Sequence, residues 1–300
     1  MKKLIPLYFA LALTPMLASA QVIVNDSWAD GGRNNGADAL DTDWWTSTGS
    51  TAIEVGSGFL GLVSGTSGRG IHGTFTAQSL SVGDTLTATY TFTTPATVGN
   101  NISTGFRAGF FDTTGKPGLA ADLSASSGTP NAIYNNLNGY MTDMDVNTGA
   151  AADLAIRVRS NAGSGQLLAT TADYTSLGDS SDAGYSFLAN TTYVGILSVT
   201  RTAGGLDLTS SLYQGATLLD TFTTSDASPT TTTFGMLAFH VGSNAFGSSS
   251  TVGVANNGID FTNVKIEYLA VPVPEPSALA LSAAALFSLG LFRNRRHGAK

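Results

Sequence analysis

DTLTATYTFT, residues Asp84–Thr93, alternates without a break. Leu86, Ala88, Tyr90 and Phe92 fall on one side of an extended chain, and Thr85, Thr87, Thr89, Thr91 and Thr93 on the other. Successive side chains of a strand point to opposite faces, so this spacing predicts a strand with one buried face and one threonine-lined face. The same period recurs downstream. Leu154, Ile156 and Val158 alternate with Arg157 and Arg159, which the pattern turns outward. Thr191–Thr202, Leu206–Gln214 and Thr217–Thr224 read as a meander turning at Gly204-Gly205 and at Gly215. Thr232–Val241 is apolar on both faces, as a central strand is. Val264, Ile266 and Tyr268 alternate with Lys265 and Glu267 in a closing strand.

Further strands are predicted at Val22–Trp28, Ala52–Val55, Phe59–Ser64, Gly70–Ala77, Gly105–Asp112 and Gly139–Val146. Roughly a dozen short strands with turn signals between them predict an all-β, antiparallel, jelly-roll-like β-sandwich. Nothing between the chain ends shows a 3.6-residue apolar period, and no fixed repeat suggests a solenoid or propeller. Residues 21–270 therefore read as one sandwich domain. They carry eight basic residues against twenty acidic ones, a net charge of −12, with no Lys/Arg cluster to hold nucleic acid. The chain has no cysteine, so no disulfide staples the fold.

Both ends read as addresses. Met1-Lys2-Lys3, the apolar run Leu4–Leu17 and Ala18-Ser19-Ala20 form a signal peptide over 1–20, with Ala18 and Ala20 as the small residues of the cleavage site. At the other end stands VPVPEPSALALSAAALFSLGLFRNRR, residues 271–296. Residues 277–292 carry no charge and favour helix, giving a predicted transmembrane helix of about 24 Å. Arg293, Arg295 and Arg296 follow at once and hold that end on the cytoplasmic side, which leaves the body outside. Pro274 and Pro276 keep the approach extended, as a protease site requires.

Pro274-Glu275-Pro276, the apolar helix and the arginine stop, in that order over 271–300, resemble the PEP-CTERM sorting signal of Gram-negative bacteria. The same tail is also called an ice-binding protein C-terminal domain, a label that implies no ice binding. The resemblance implies recognition by an exosortase-type membrane protease, an inner-membrane-anchored precursor, and transfer to the cell surface or matrix beside exopolysaccharide. The body is similar to the concanavalin-like and laminin-G-like sandwiches, which host lectins, carbohydrate-binding modules, lyases and structural domains alike.

Candidate chemistry is sparse. Asp143, Asp145 and Asn147 form D-x-D-x-N, whose alternate oxygens are candidate calcium ligands. Asp26, Asp30, Asp38, Asp41 and Asp43 crowd a Gly- and Asn-rich segment that reads as a turn-rich loop or a second cation site. Trp44 and Trp45 are candidates for stacking on a sugar, and an extended backbone sends their rings to opposite faces. His72 and His240 fall in different strands, and His240 is expected to face solvent or a hydrogen bond. There is no G-x-S-x-G elbow and no P-loop; Gly65–Gly70 reads as a hairpin loop. Glu54 sits in a strand pattern, and nothing in the sequence selects an aspartate to pair with it.

The expectation is a non-enzymatic, exported cell-surface or matrix protein with a structural or adhesive role in the envelope or exopolysaccharide layer. A lectin-like carbohydrate-binding module, with calcium as an assisting ion, is the second reading. A polysaccharide lyase or glycoside hydrolase on the same fold is the third.

Overall fold

A computed structural model describes residues 20–34, 39–48, 52–99, 105–123, 131–146, 154–160, 163, 165–181 and 184–271. The predicted helix 277–292, Pro274, Glu275, Pro276, Arg293, Arg295, Arg296, Ala18, Asp38 and Asn147 lie outside them. Among the described residues no helix is long and apolar enough to cross a membrane. One compact unit spans Ala20–Leu269.

The strands are β1 (Ala20–Asp26), β2 (Trp44–Thr46), β3 (Ile53–Gly56), β4 (Phe59–Val63), β5 (Arg69–Ser79), β6 (Thr85–Thr93), β7 (Phe106–Phe111), β8 (Gly139–Met144), β9 (Leu154–Arg159), β10 (Tyr174–Asp179), β11 (Thr192–Thr202), β12 (Gly205–Gln214), β13 (Thr217–Asp226), β14 (Thr233–Val241) and β15 (Gly258–Leu269). They form two antiparallel sheets. The first runs β13-β12-β11-β6-β15-β4-β3, with β1 also paired to β15; the second runs β10-β9-β8-β7-β14-β5-β2. The chain passes from one sheet to the other between β4 and β5, so Gly65–Gly70 is a crossover and not the expected hairpin loop.

β6 shows why the sheets meet. Leu86, Ala88, Tyr90 and Phe92 are all fully buried, and the threonines between them are only partly so. Tyr90 and Phe92 reach across to Phe106 of β7 and Phe239 of β14, and Phe239 meets Phe261 of β15 with ring centroids 4.5 Å apart. Burial of these rings is the main favourable term in the sandwich, at roughly 25 cal/mol per Å² of apolar surface. Polar links also join the two sheets: the hydroxyls of Thr142 and Ser210 meet at 2.7 Å, Trp44 Nε1–H donates to Asp26 at 2.8 Å, and Tyr140 O–H donates to Asp226 at 2.7 Å.

The second sheet is covered on its outer face as well. Phe111, Met141, Met236 and Ala238 point away from the sandwich core and pack under Leu119, Tyr134, Leu137, Leu167 and Leu168. This loop layer explains why β14 is apolar on both faces. It also corrects two expectations. Arg159 does not face solvent: it is 1% exposed and donates to the carbonyls of Tyr134 and Leu137 at 2.8 and 3.0 Å. His240 is buried too, beneath the same layer. Arg107 donates to Leu168 O and His72 Nε2 bonds Leu119 O, so polar groups of the sheet tie down the backbone above them.

Candidate functional site

A groove of about 740 Å³ is bordered by β3, β15, the end of β6 and the segment 252–257. Its floor follows from register. Glu54 of β3 lies opposite Gly61 of β4, Gly61 opposite Asp260 of β15, and Asp260 opposite Thr93 of β6. Directly paired residues share a face. The alternate positions Leu60, Leu62, Ile259 and Phe261 fill the core, so Glu54, Asp260 and Thr93 point outward together.

Gly61 sets the spacing of the two acids. A Cβ built there would stand 3.0 Å from both Glu54 Oε1 and Asp260 Oδ1. The two carboxylate oxygens are therefore at most twice that distance apart, across a gap only glycine leaves open. The other oxygen of Glu54, Oε2, accepts from Gly253 N–H at 2.7 Å and from Asn257 Nδ2 at 3.1 Å, which ties the 252–257 segment to the sheet. Burial, with the Glu54 charge beside it, pushes the Asp260 carboxyl up to about 6. The rim is apolar: Val55, Val252 and Val254 border the groove with more than a third of their surface in water.

The residues singled out by sequence fall elsewhere. Asp143, an expected calcium ligand, is on the covered face of the second sheet. Its Oδ1 accepts from Arg107 Nε at 3.0 Å and its Oδ2 lies 3.7 Å from Arg157 Nε. Two guanidiniums therefore lie against the Asp143 carboxylate, while Asn147, the third expected ligand of D-x-D-x-N, lies outside the described residues. Asp145 lies past the end of β8, and among the described residues no group of three or more His, Asp or Glu could hold a metal. Trp44 is corrected from a stacking platform to a core residue: it is 1% exposed, packs on Phe239 and donates Nε1–H to Asp26. Trp45 points the other way, as the extended backbone requires, but the Arg33 guanidinium lies 5.8 Å from its ring centre. Arg33 is in turn paired with Asp122 at 2.7 Å.

In the acid-rich segment, Asp26 is buried, Asp30 bonds the Gly32 amide, and Asp41 and Asp43 line a smaller cleft of about 270 Å³. Ala20 opens β1 opposite Leu269. Sequence reading found Glu54 and missed its partner, because 206 positions and two strand pairings separate Glu54 from Asp260. The signal present was a glycine at an outward position of Phe59-Leu60-Gly61-Leu62-Val63 and an acid at the matching position of Gly258-Ile259-Asp260-Phe261.

Fold and groove together describe a two-sheet antiparallel sandwich with a carboxylate-floored, apolar-rimmed cleft on one outer face. No family model matches the chain, and no curated protein matches it. Among solved structures it is similar to an endo-1,3-beta-glucanase from Streptomyces sioyaensis, at 13% identity over 86% of this chain and 100% of that one, with a TM-score of 0.47. It is likewise similar to the metal-free form of the VIP36 exoplasmic/lumenal domain, at 10% identity over 84% and 93% of the two chains, TM-score 0.48. The potassium-bound Emp46p carbohydrate recognition domain matches at 12% identity over 78% and 89%, TM-score 0.44. No residue of the groove is assigned through these likenesses.

Proposed function

We propose that this chain is an exported surface protein whose jelly-roll-like sandwich binds polysaccharide in the groove above Gly61. The observation that supports the binding reading is the groove itself. Its volume of about 740 Å³ falls in the range of ligand sites, and it joins an apolar rim to convergent acids, amides and hydroxyls. A sugar ring offers the matching surface, with C–H faces for the valines and hydroxyls for the polar floor. Export and sorting rest on the signal peptide and on the PEP-CTERM-like tail, with an exosortase-type protease as partner. Sugar binding then supplies the adhesive role in an exopolysaccharide layer.

A glycan array run with and without a chelator tests the binding reading. Signal on one or more polysaccharides, abolished by Val254→Lys, is the expected result; the substitution lays a charged chain across the exposed rim and leaves the core alone. An array silent for the unaltered protein would overturn the reading. Mass spectrometry of the mature protein tests the fate: both ends are expected to be cut, after Ala20 and near Pro274–Pro276.

One observation favours hydrolysis as a second reading. Retaining glycosidases use two carboxyls about 5–5.5 Å apart, one of them with a raised pKa; the facing oxygens of Glu54 and Asp260 are at most twice 3.0 Å apart, and Asp260 is raised to about 6. Release of reducing ends from a bound polysaccharide, lost in Glu54→Gln, would support it.

A further inference from the structure

We infer that the groove selects polysaccharides bearing free amino groups, holding an ammonium between Glu54 and Asp260 above Gly61. The inference rests on the binding reading and adds the class of ligand.

Charge is the first ground. Glu54 and Asp260 are the ionisable residues that border the groove, and none of its lining residues is Lys, Arg or His. The body around it carries a net charge of −12, so the cleft disfavours uronate and sulfated polymers before contact. Shape is the second. Oε1 of Glu54 and Oδ1 of Asp260 each lie 3.0 Å from the place a Gly61 Cβ would fill, so they stand within twice that distance of each other; the place itself is covered by the Glu54 stem, with Cγ at 2.6 Å. A nitrogen set between the two oxygens, further out over the groove, would make charge-assisted hydrogen bonds of about 2.7–2.9 Å to both at once. A hydroxyl there has only one proton to give, and an N-acetyl group carries no charge and a single N–H, so neither can serve both carboxylates as an ammonium does.

The third ground is independent of the acids. Eight large apolar side chains are exposed among the described residues, and three of them, Val55, Val252 and Val254, border this one groove. Apolar surface gathered at a cleft marks a contact site, and it suits the C–H face of a pyranose better than a lone lysine tip. A chain of amino sugars meets both demands: ring faces for the valines and an ammonium for the acids.

Titration calorimetry at about pH 6.5 with glucosamine, N-acetylglucosamine and galacturonate oligomers of equal length tests the inference. The glucosamine oligomer is expected to bind at least about tenfold more tightly than the acetylated one, with no heat from the uronate. Gly61→Ala, whose Cβ would come within 2.6 Å of Glu54 Cγ, is expected to erase that preference, as is Asp260→Asn. Melting curves check that both variants are folded, and residual binding of the acetylated oligomer shows an intact groove. Equal affinity for the two oligomers overturns the inference and leaves the binding reading standing. Silence from every oligomer and every array glycan sinks both. Poly-lysine binding as tightly as the glucosamine oligomer overturns the assignment to sugar.

Discussion

Asp26 is an acid placed where a core residue belongs. It is 2% exposed, and its two oxygens accept from the Trp28 amide at 3.0 Å and from Trp44 Nε1–H at 2.8 Å. Those bonds hold Trp28 at a φ of +51°, a left-handed conformation that is costly for a bulky side chain. Desolvation outweighs them, and the carboxyl rises to about 6. Trp44→Phe removes the ring donor and leaves the buried carboxyl with only the backbone bonds of Trp28 and Thr42, at an expected cost of about 1–3 kcal/mol. The sign of its pH dependence follows. A carboxyl with a raised folded pKa stabilises most below its unfolded value of 3.8 and loses that contribution as pH rises through the folded pKa. Removing a donor raises it further. The deficit of Trp44→Phe should be larger at pH 8 than at pH 5, read from urea midpoints.

Gly195 shows at the scale of a strand what a glycine in a ladder can be for. It faces Tyr90 across β11 and β6, and a Cβ there would stand 2.1 Å from the Tyr90 ring. The glycine gives that ring a seat in the core. Gly195→Ala is expected to cost about 1–3 kcal/mol through overpacking, with Gly195→Ala/Tyr90→Leu recovering part of it in a thermal melt. The alternation in β6 was legible in sequence because one face is core and the other is not. The meander was legible for the same reason, with β11, β12 and β13 ending within two residues of the expected bounds. β2 and β10 escaped notice: β2 is three residues long, and β10 has only its first residue buried. The loop layer escaped for a different cause. Leu119, Tyr134, Leu137, Leu167 and Leu168 are scattered through segments with no period, so nothing local announced that they roof a sheet. Without that roof, Arg159 could only read as solvent-facing, and His240 as facing solvent or a hydrogen bond. Gly61 and Asp260 illustrate the same limit at the groove, where the information lies in register between distant strands.

Across the whole molecule, buried acids and buried imidazoles oppose one another. Desolvation lowers His72 to about 4 and His240 to about 3, the latter with Arg107 nearby. Acidification from 6.5 therefore protonates the unfolded chain first and weakens the fold. Asp26 and Asp260, raised to about 6 from 3.8, take up protons in the folded state over the same window and strengthen it. Stability should thus be nearly flat between about pH 6 and 4, and Asp260→Asn should tilt it so that acid destabilises, measured as the slope of unfolding free energy against pH. A mechanical property follows from the register Ala20↔Leu269, which sets the first strand of the sandwich beside the last. β15 is flanked along its length by β6 on one side and by β4 and β1 on the other. Tension pulling at Leu269 along the strand axis therefore strains many rungs of two ladders in shear, all together, where a peeling geometry would break them singly. A tether attached at that corner would find the sandwich at its strongest.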